Sequence, residues 1–216
     1  MKIINILLCL FSITLNNCKS NNNEIFNKNN KSTGPQQAKS RKQRDLDQKN
    51  LQKEEIILSP DEEKKFNSLT TVFKYTIEKL PDQIQGCNNG NKSKCTNFFD
   101  WLSKDIQKQK ELASAFKKVY DFLAAKAKAN NEDFDTYIQG GIDCKVAKGN
   151  ENCNDNKHGD GTNNLIEQYF RGVAGSIFDN KNINEEIYQC LKNELLNDTT
   201  GHYAGLTTNW KNEDDD

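Results

Sequence analysis

SPDEEKKFNSLTTVFKYTIEKL, residues 59–80, decides the fold class. Ser59 stands where a helix N-cap belongs, Pro60 at the first helical position and Glu62 at the third. A hydroxyl and a carboxylate at that spacing form a capping box, each satisfying a backbone N–H that the first turn leaves open. The acidic residues also face the positive end of the helix dipole. Phe66, Leu69, Phe73, Ile77 and Leu80 follow at spacings of three and four, which gathers them into one apolar stripe. Pro81 and Gly86 close the helix. A stripe of that kind must be buried against other elements, so the rest of the chain is read for its partners.

Downstream, residues 96–129 keep one face with Phe99, Leu102, Ile106, Ala113, Phe116, Tyr120, Leu123 and Ala127. The polar run Gln107-Lys108-Gln109-Lys110 reads either as a solvated face or as a break between two helices. A short helix over 133–139 is expected to stop at Gly140-Gly141, with a loop from there to Thr162. Helices follow over 163–178, through Ile166, Phe170, Val173 and Ile177, and over 184–196, through Ile187, Leu191 and Leu195. Residues 201–210 read as an irregular strap packed back through Tyr203, Leu206 and Trp210. No sustained period-two alternation appears. The expectation is an all-α fold: a single bundle of four to six helices over 59–210, closed by an acidic tail over 211–216.

Upstream, the chain changes character. Residues 18–58 are crowded with Asn, Lys, Gln and Ser around a Gly34-Pro35 break, too poor in apolar surface to fold. They read as a disordered N-terminal tether; a flexible coil of about 40 residues holds its ends on the order of 35 Å apart. Residues 1–17, MKIINILLCLFSITLNN, combine Lys2 with an apolar run from Ile3 to Leu15. That run falls short of the roughly 20 apolar residues a spanning helix needs and has the length of a signal-peptide core. The segment ends in Leu15-Asn16-Asn17-Cys18, which resembles a bacterial lipobox, with Asn17 where Gly, Ala or Ser is usual. Cys18 is the expected lipidation site, carrying a thioether diacylglycerol and further acyl chains such as palmitate. One chain gives marginal attachment and two or three make it lasting. The alternative is an ordinary cleaved leader followed by a chance cysteine.

Charge is asymmetric about this plan. The formal net charge is −1 with 28% charged residues. Residues 19–55 nevertheless hold nine Lys or Arg against five Asp or Glu, and the chain ends in Glu213-Asp214-Asp215-Asp216. A basic stretch beside a lipid suits an anionic membrane surface or a solvated spacer. An exported chain that is not basic overall is a poor nucleic-acid binder.

The cysteines follow from export. Of seven, Cys9 leaves with the leader and Cys18 takes lipid, which leaves five in an oxidising compartment. Cys87 and Cys95 bracket one loop, and Cys144 and Cys153 another; both pairs are candidate disulfides. Cys190 reads as a buried small apolar residue; five cysteines cannot all pair within one chain, and the connectivity and the state of Cys190 stay open. The spacings are too long for a short zinc-finger pair, so no zinc is expected.

Residues 156–167, NKHGDGTNNLIE, come nearest to a metal motif. On the twelve-residue EF-hand pattern Asp160 falls at position five, Gly161 at six and Glu167 at twelve. Asn156 at position one and His158 at position three argue against it. The stretch reads instead as a Gly-rich turn leading into a helix with Glu167 facing solvent. No cofactor or metal is expected. His158 and His202 lie in no catalytic motif, His202 reading as a packed or surface residue, and no small-molecule substrate is expected; the chain does not read as an enzyme.

Together the leader MKIINILLCLF…LNNC, the stretch Lys39-Ser40-Arg41-Lys42-Gln43-Arg44-Asp45-Leu46 and the blocks NFFDWLSKDIQKQKELASAF, EQYFRGVAGSIF and HYAGLTTNW resemble the multicopy lipoprotein (Mlp) family of Borrelia spirochaetes. The Asn17 departure suits the looser spirochaete lipobox. The resemblance implies a lipid-anchored lipoprotein of the outer membrane, exposed at the cell surface, antigenic, and with a part in pathogenesis. It carries over no catalytic residue. The expected partners are the membrane, through the anchor, and a host protein reached through the loops at 88–94 and 145–160. The alternative is a periplasm-facing envelope lipoprotein acting on the cell's own components.

Overall fold

The computed structural model describes residues 56–148, 157–160 and 163–210. The leader, Cys18, almost all of the tether, Cys153 and the acidic tail lie outside the described residues.

α1 (Pro60–Lys79) opens with the capping box read from the sequence. The Glu62 N–H donates to Ser59 Oγ at 3.3 Å, and the Ser59 N–H donates to Glu62 Oε2 at 2.8 Å. Phe66, Leu69, Val72, Phe73 and Ile77 are all buried, and α1 touches α2, α3, α4 and α5. It is the central post of the bundle. The chain then passes through a 3-10 turn at Pro81–Gln83 and reverses at Gly86. Gly86 has φ +83°, and a Cβ there would lie 2.2 Å from the Phe178 carbonyl oxygen, so both backbone and space require glycine.

α2 (Lys92–Leu102) and α3 (Ile106–Ala129) are two helices. The break is at Ser103-Lys104-Asp105, ahead of the polar run over 107–110, which belongs to α3. Asp105 makes the break: its carboxylate accepts the Lys108 N–H at 3.0 Å and caps the new helix. Ile106, expected on the buried face, is 45% exposed because it opens α3 at the bundle's edge.

α4 (Phe134–Lys148) corrects a second expectation, since it runs straight through Gly140-Gly141. The two glycines answer a packing demand. A Cβ on Gly140 would come within 3.3 Å of His158 Nε2, and one on Gly141 within 3.2 Å of Ile166. β1 (Gly159–Asp160) and β2 (Asn163–Asn164) form a two-residue antiparallel ladder, Gly159 opposite Asn164, and lead into α5 (Leu165–Phe178). Asn164 serves both neighbours: its carbonyl oxygen accepts the Glu167 N–H at 3.0 Å and its amide donates to the Gly141 carbonyl.

α6 (Asn184–Leu196) matches the expected span, burying Ile187, Leu191 and Leu195. The last stretch, expected as an irregular strap, is an eight-residue helix, α7 (Gly201–Thr208), laid on α5 and α6. Leu206 and the following Trp210 are buried, the latter edge-on to Phe122 at 5.7 Å. The described residues make an all-α fold, a bundle of six helices with α7 as its strap. Its centre is aromatic. Phe73 stacks on Phe99 at 5.9 Å and meets Phe170 edge-on at 5.2 Å, while Phe98 meets Phe178 edge-on at 5.7 Å.

Candidate functional site

The turn between α1 and α2 is a stapled projection. Cys87 and Cys95 are disulfide-bonded, both sulfurs buried, and the Asn89, Gly90 and Asn91 between them are exposed. Asn89 and Gly90 adopt positive φ, 52° and 84°, which Asn and Gly tolerate best. The loop is shorter than expected, because Lys92, Ser93 and Lys94 already belong to α2. The second expected loop is shortened likewise, since residues 145–148 complete α4 and residues 149–156 fall outside the described residues. Cys144 and Cys190 are each a half-cystine as well. Cys190 is buried, as its place on an apolar helix face implied, and its sulfur is oxidised; an apolar site suits a half-cystine as well as a thiol.

The metal-like stretch is built differently from the pattern laid on it. Glu167 does not face solvent: it is 2% exposed and paired with Arg171 one turn on. The Arg171 guanidinium compensates the charge of this buried carboxylate. His158 is buried against the Tyr137 ring at 5.4 Å. Among the described residues no group of three or more His, Cys, Asp or Glu is placed to hold a metal ion. His202 sits on α7 with Nδ1 2.9 Å from Glu194 Oε2, which ties the strap to α6.

A concavity lies elsewhere, along the seam of α3 and α6. Lys108 pairs with Glu185, Glu111 with Lys192, and Lys118 with Asp198, so the partners advance together and the helices run parallel. Beside this seam lies a groove of about 590 Å³. Its floor is α3 through Gln107, Lys110, Glu111 and Ser114, a one-face helical spacing opposite to the buried Leu112, Phe116 and Val119. Leu196 forms one bank, and Ile56 and Ile57, just ahead of α1, form the other.

Electrostatics fix that floor. Glu111 accepts from Lys192 Nζ and Gln107 Nε2, both at 2.7 Å, and from the Tyr188 hydroxyl. These donors, Lys192 first and Tyr188 next, bring its carboxyl down to about 2. Burial, followed by the bond to Glu111, pushes the Tyr188 phenol up. Lys108 lies 5.6 Å from the Trp101 ring centre and 5.1 Å from that of Tyr188, with Asp105 at 3.1 Å. Its cation is thus held by two rings and carboxylates in a cage closed by the protein's own side chain. None of this was singled out as a site from sequence. The signal was there in the 107, 110, 111, 114 spacing, but a polar face at helical spacing reads as solvated surface until a second helix is laid beside it.

No helix among the described residues is long and apolar enough to cross a membrane. The Mlp lipoprotein family matches residues 35–191. Lipoprotein MlpJ of Borreliella burgdorferi is 64% identical across 98% of this chain and 100% of its own length. Lipoprotein MlpB of the same organism is 57% identical over the same shares of both chains. Lipoprotein MlpH, also of that organism, is 36% identical over 50% of this chain and 80% of its own. No solved structure matches.

Proposed function

Because the chain belongs to the Mlp lipoprotein family, we propose that Cys18 is its lipid-bearing residue and that the helical domain stands at the outer face of the outer membrane as an antigenic, host-contacting module. The observation that carries this reading is the extent of the likeness to MlpJ. It covers 98% of the chain, so it takes in the apolar leader and Cys18 as well as the bundle. A leader of signal-peptide length followed by Cys18 calls for a tether outside the cytoplasm, since no described helix offers a span.

The domain contributes recognition without chemistry. Of the described histidines, His158 packs against Tyr137 and His202 is hydrogen-bonded to Glu194, and the seam carboxylates Glu111, Glu185 and Asp198 are paired with lysines. The exposed stapled turn, held open by Cys87–Cys95 on a rigid bundle, is the surface best suited to contact a host protein. Contact with a partner and a role in infection belong to this reading, and no catalytic step does.

The anchor is tested by Cys18→Ala in cells fed radioactive palmitate, followed by detergent phase partition. The wild-type protein enters the detergent phase carrying label, and Cys18→Ala stays aqueous and unlabelled. A labelled Cys18→Ala protein in the detergent phase contradicts the assignment.

A further inference from the structure

Among the described residues three asparagines sit in the left-handed region: Asn89 at φ 52°, Asn131 at 57° and Asn180 at 54°. A short amide side chain tolerates that conformation better than most others do. What separates the three is the backbone nitrogen that follows each one. The Glu132 N–H donates to the Ala127 carbonyl at 3.0 Å, and the Lys181 N–H donates to the Phe178 carbonyl at 3.4 Å. Asn180 is held a second time, its side-chain amide donating to Asp179 Oδ1 at 2.7 Å. The Gly90 N–H, by contrast, has no acceptor among the described residues, and the Asn89 side chain has no hydrogen-bond partner among them.

Asn89 and Gly90 form the tip of a four-residue turn, closed by the Asn91 N–H donating to the Asn88 carbonyl at 3.0 Å. Both tip residues are exposed, and a Cβ built on Gly90 would meet nothing within 4 Å. Nothing therefore shields the Gly90 nitrogen from water or keeps the Asn89 side chain from folding back onto it. One exposed hydrogen bond contributes little net stability, so the turn opens readily. The Cys87–Cys95 disulfide holds its ends together when it does. Asn89-Gly90 is also the one Asn-Gly pair in the chain, and glycine brings no Cβ to hinder attack by its nitrogen.

We propose that Asn89 is a site of spontaneous covalent modification, in which its side chain closes on the Gly90 nitrogen. Solvent base takes the Gly90 N–H proton, and that nitrogen bonds to Asn89 Cγ. The Cγ–Nδ2 bond breaks, and the side-chain nitrogen takes a proton from solvent and leaves as ammonia. Water then opens the cyclic imide at either carbonyl, leaving aspartate or isoaspartate with no change of oxidation state. The uncharged tip from Asn88 to Asn91 gains a carboxylate just ahead of Lys92, and isoaspartate lengthens the main chain by one carbon inside the stapled loop. With the turn as the contact surface, a reading on which this consequence but not the modification rests, the domain acquires a second, acidic form of that surface as it ages.

Incubation of the full-length protein in detergent near pH 6 and near pH 8, then digestion in acid and mass spectrometry, tests the site. Asn131 and Asn180 serve as internal references. The expected result is conversion at Asn89 about tenfold faster than at either reference, since glycine alone leaves the attacking nitrogen unhindered. Isoaspartate is among the products, and the rate rises from pH 6 to pH 8 because that nitrogen must first lose its proton. Isoelectric focusing of the aged wild-type protein shows an acidic form that Asn89→Gln, whose longer side chain closes a ring poorly, does not accumulate. Equal rates at the three asparagines overturn the proposal, as does an Asn89 that keeps its amide throughout. Aspartate without isoaspartate, or a rate indifferent to pH, overturns the ring closure. An acidic form that accumulates equally in Asn89→Gln overturns the assignment to Asn89.

Discussion

The aromatic centre and the α3–α6 seam hold the same bundle together by opposite means. At the centre, Phe73, Phe98, Phe99, Phe170 and Phe178 are fully buried and bring no polar atom with them. Its stability comes from apolar area withdrawn from water and from ring packing. At the seam, Glu111, Tyr188 and Lys192 are joined by hydrogen bonds, and Lys108 is held between two rings. Ion pairs near a surface contribute little net stability, but they fix which residue lies beside which. The centre therefore sets how stable the domain is. The seam sets the register of α3 and α6, and that register shapes the groove.

The contrast is broken or sharpened most strongly at the centre. Phe73→Ala removes a ring packed on α2 and α5, and a cost of about 3–5 kcal/mol is expected from the lost burial and the cavity. Urea unfolding reads it as a lower midpoint at unchanged slope; a cost under about 1 kcal/mol would mean that the centre is not what holds the bundle.

A smaller effect is expected at the staple. Cys95→Ser opens the loop from Cys87 and is expected to cost about 2–3 kcal/mol through the freed unfolded chain. Calorimetry with and without reductant checks it, because reductant should lower the wild-type melting point more than that of the variant.

Smallest is the seam. Glu111→Gln keeps an acceptor for Tyr188 but removes the charge facing Lys192, at an expected cost of about 1 kcal/mol near neutral pH. The pH dependence is the sharper readout. The folded carboxyl lies at about 2, below its ordinary 4.5, so its contribution is complete above 4.5 and is lost as pH falls toward 2. The wild-type protein should lose its advantage over Glu111→Gln across that window. A constant difference from pH 7 to pH 3 would show that the carboxylate's charge does not hold the seam.

How far the sequence was legible tracks this same division. α1, α5 and α6 were readable because their apolar residues recur at helical spacing and bury one continuous face; Phe66, Leu69, Phe73, Ile77 and Leu80 are all in the core. Gly140-Gly141 misled because a glycine pair signals a helix end, whereas here it admits His158 and Ile166 from elements distant in sequence. The break between α2 and α3 was sought in a polar run and lies instead at a single capping residue, Asp105. Glu167 was placed in solvent because an isolated glutamate usually is; in the folded domain it is buried with Arg171 as its partner. The groove stayed illegible for the same reason. It exists only between helices, and each helix alone shows a merely polar face. Cys18, by contrast, was read from a local pattern and lies outside the described residues, so its role rests on the lipobox and on the family.

The central claim, a domain held at the outer surface, is tested most directly by brief protease treatment of intact cells, followed by an immunoblot for the helical domain beside a periplasmic control. The account predicts that the domain is lost while the control survives. Protection of the domain until the outer membrane is breached would contradict it and place the protein facing the periplasm.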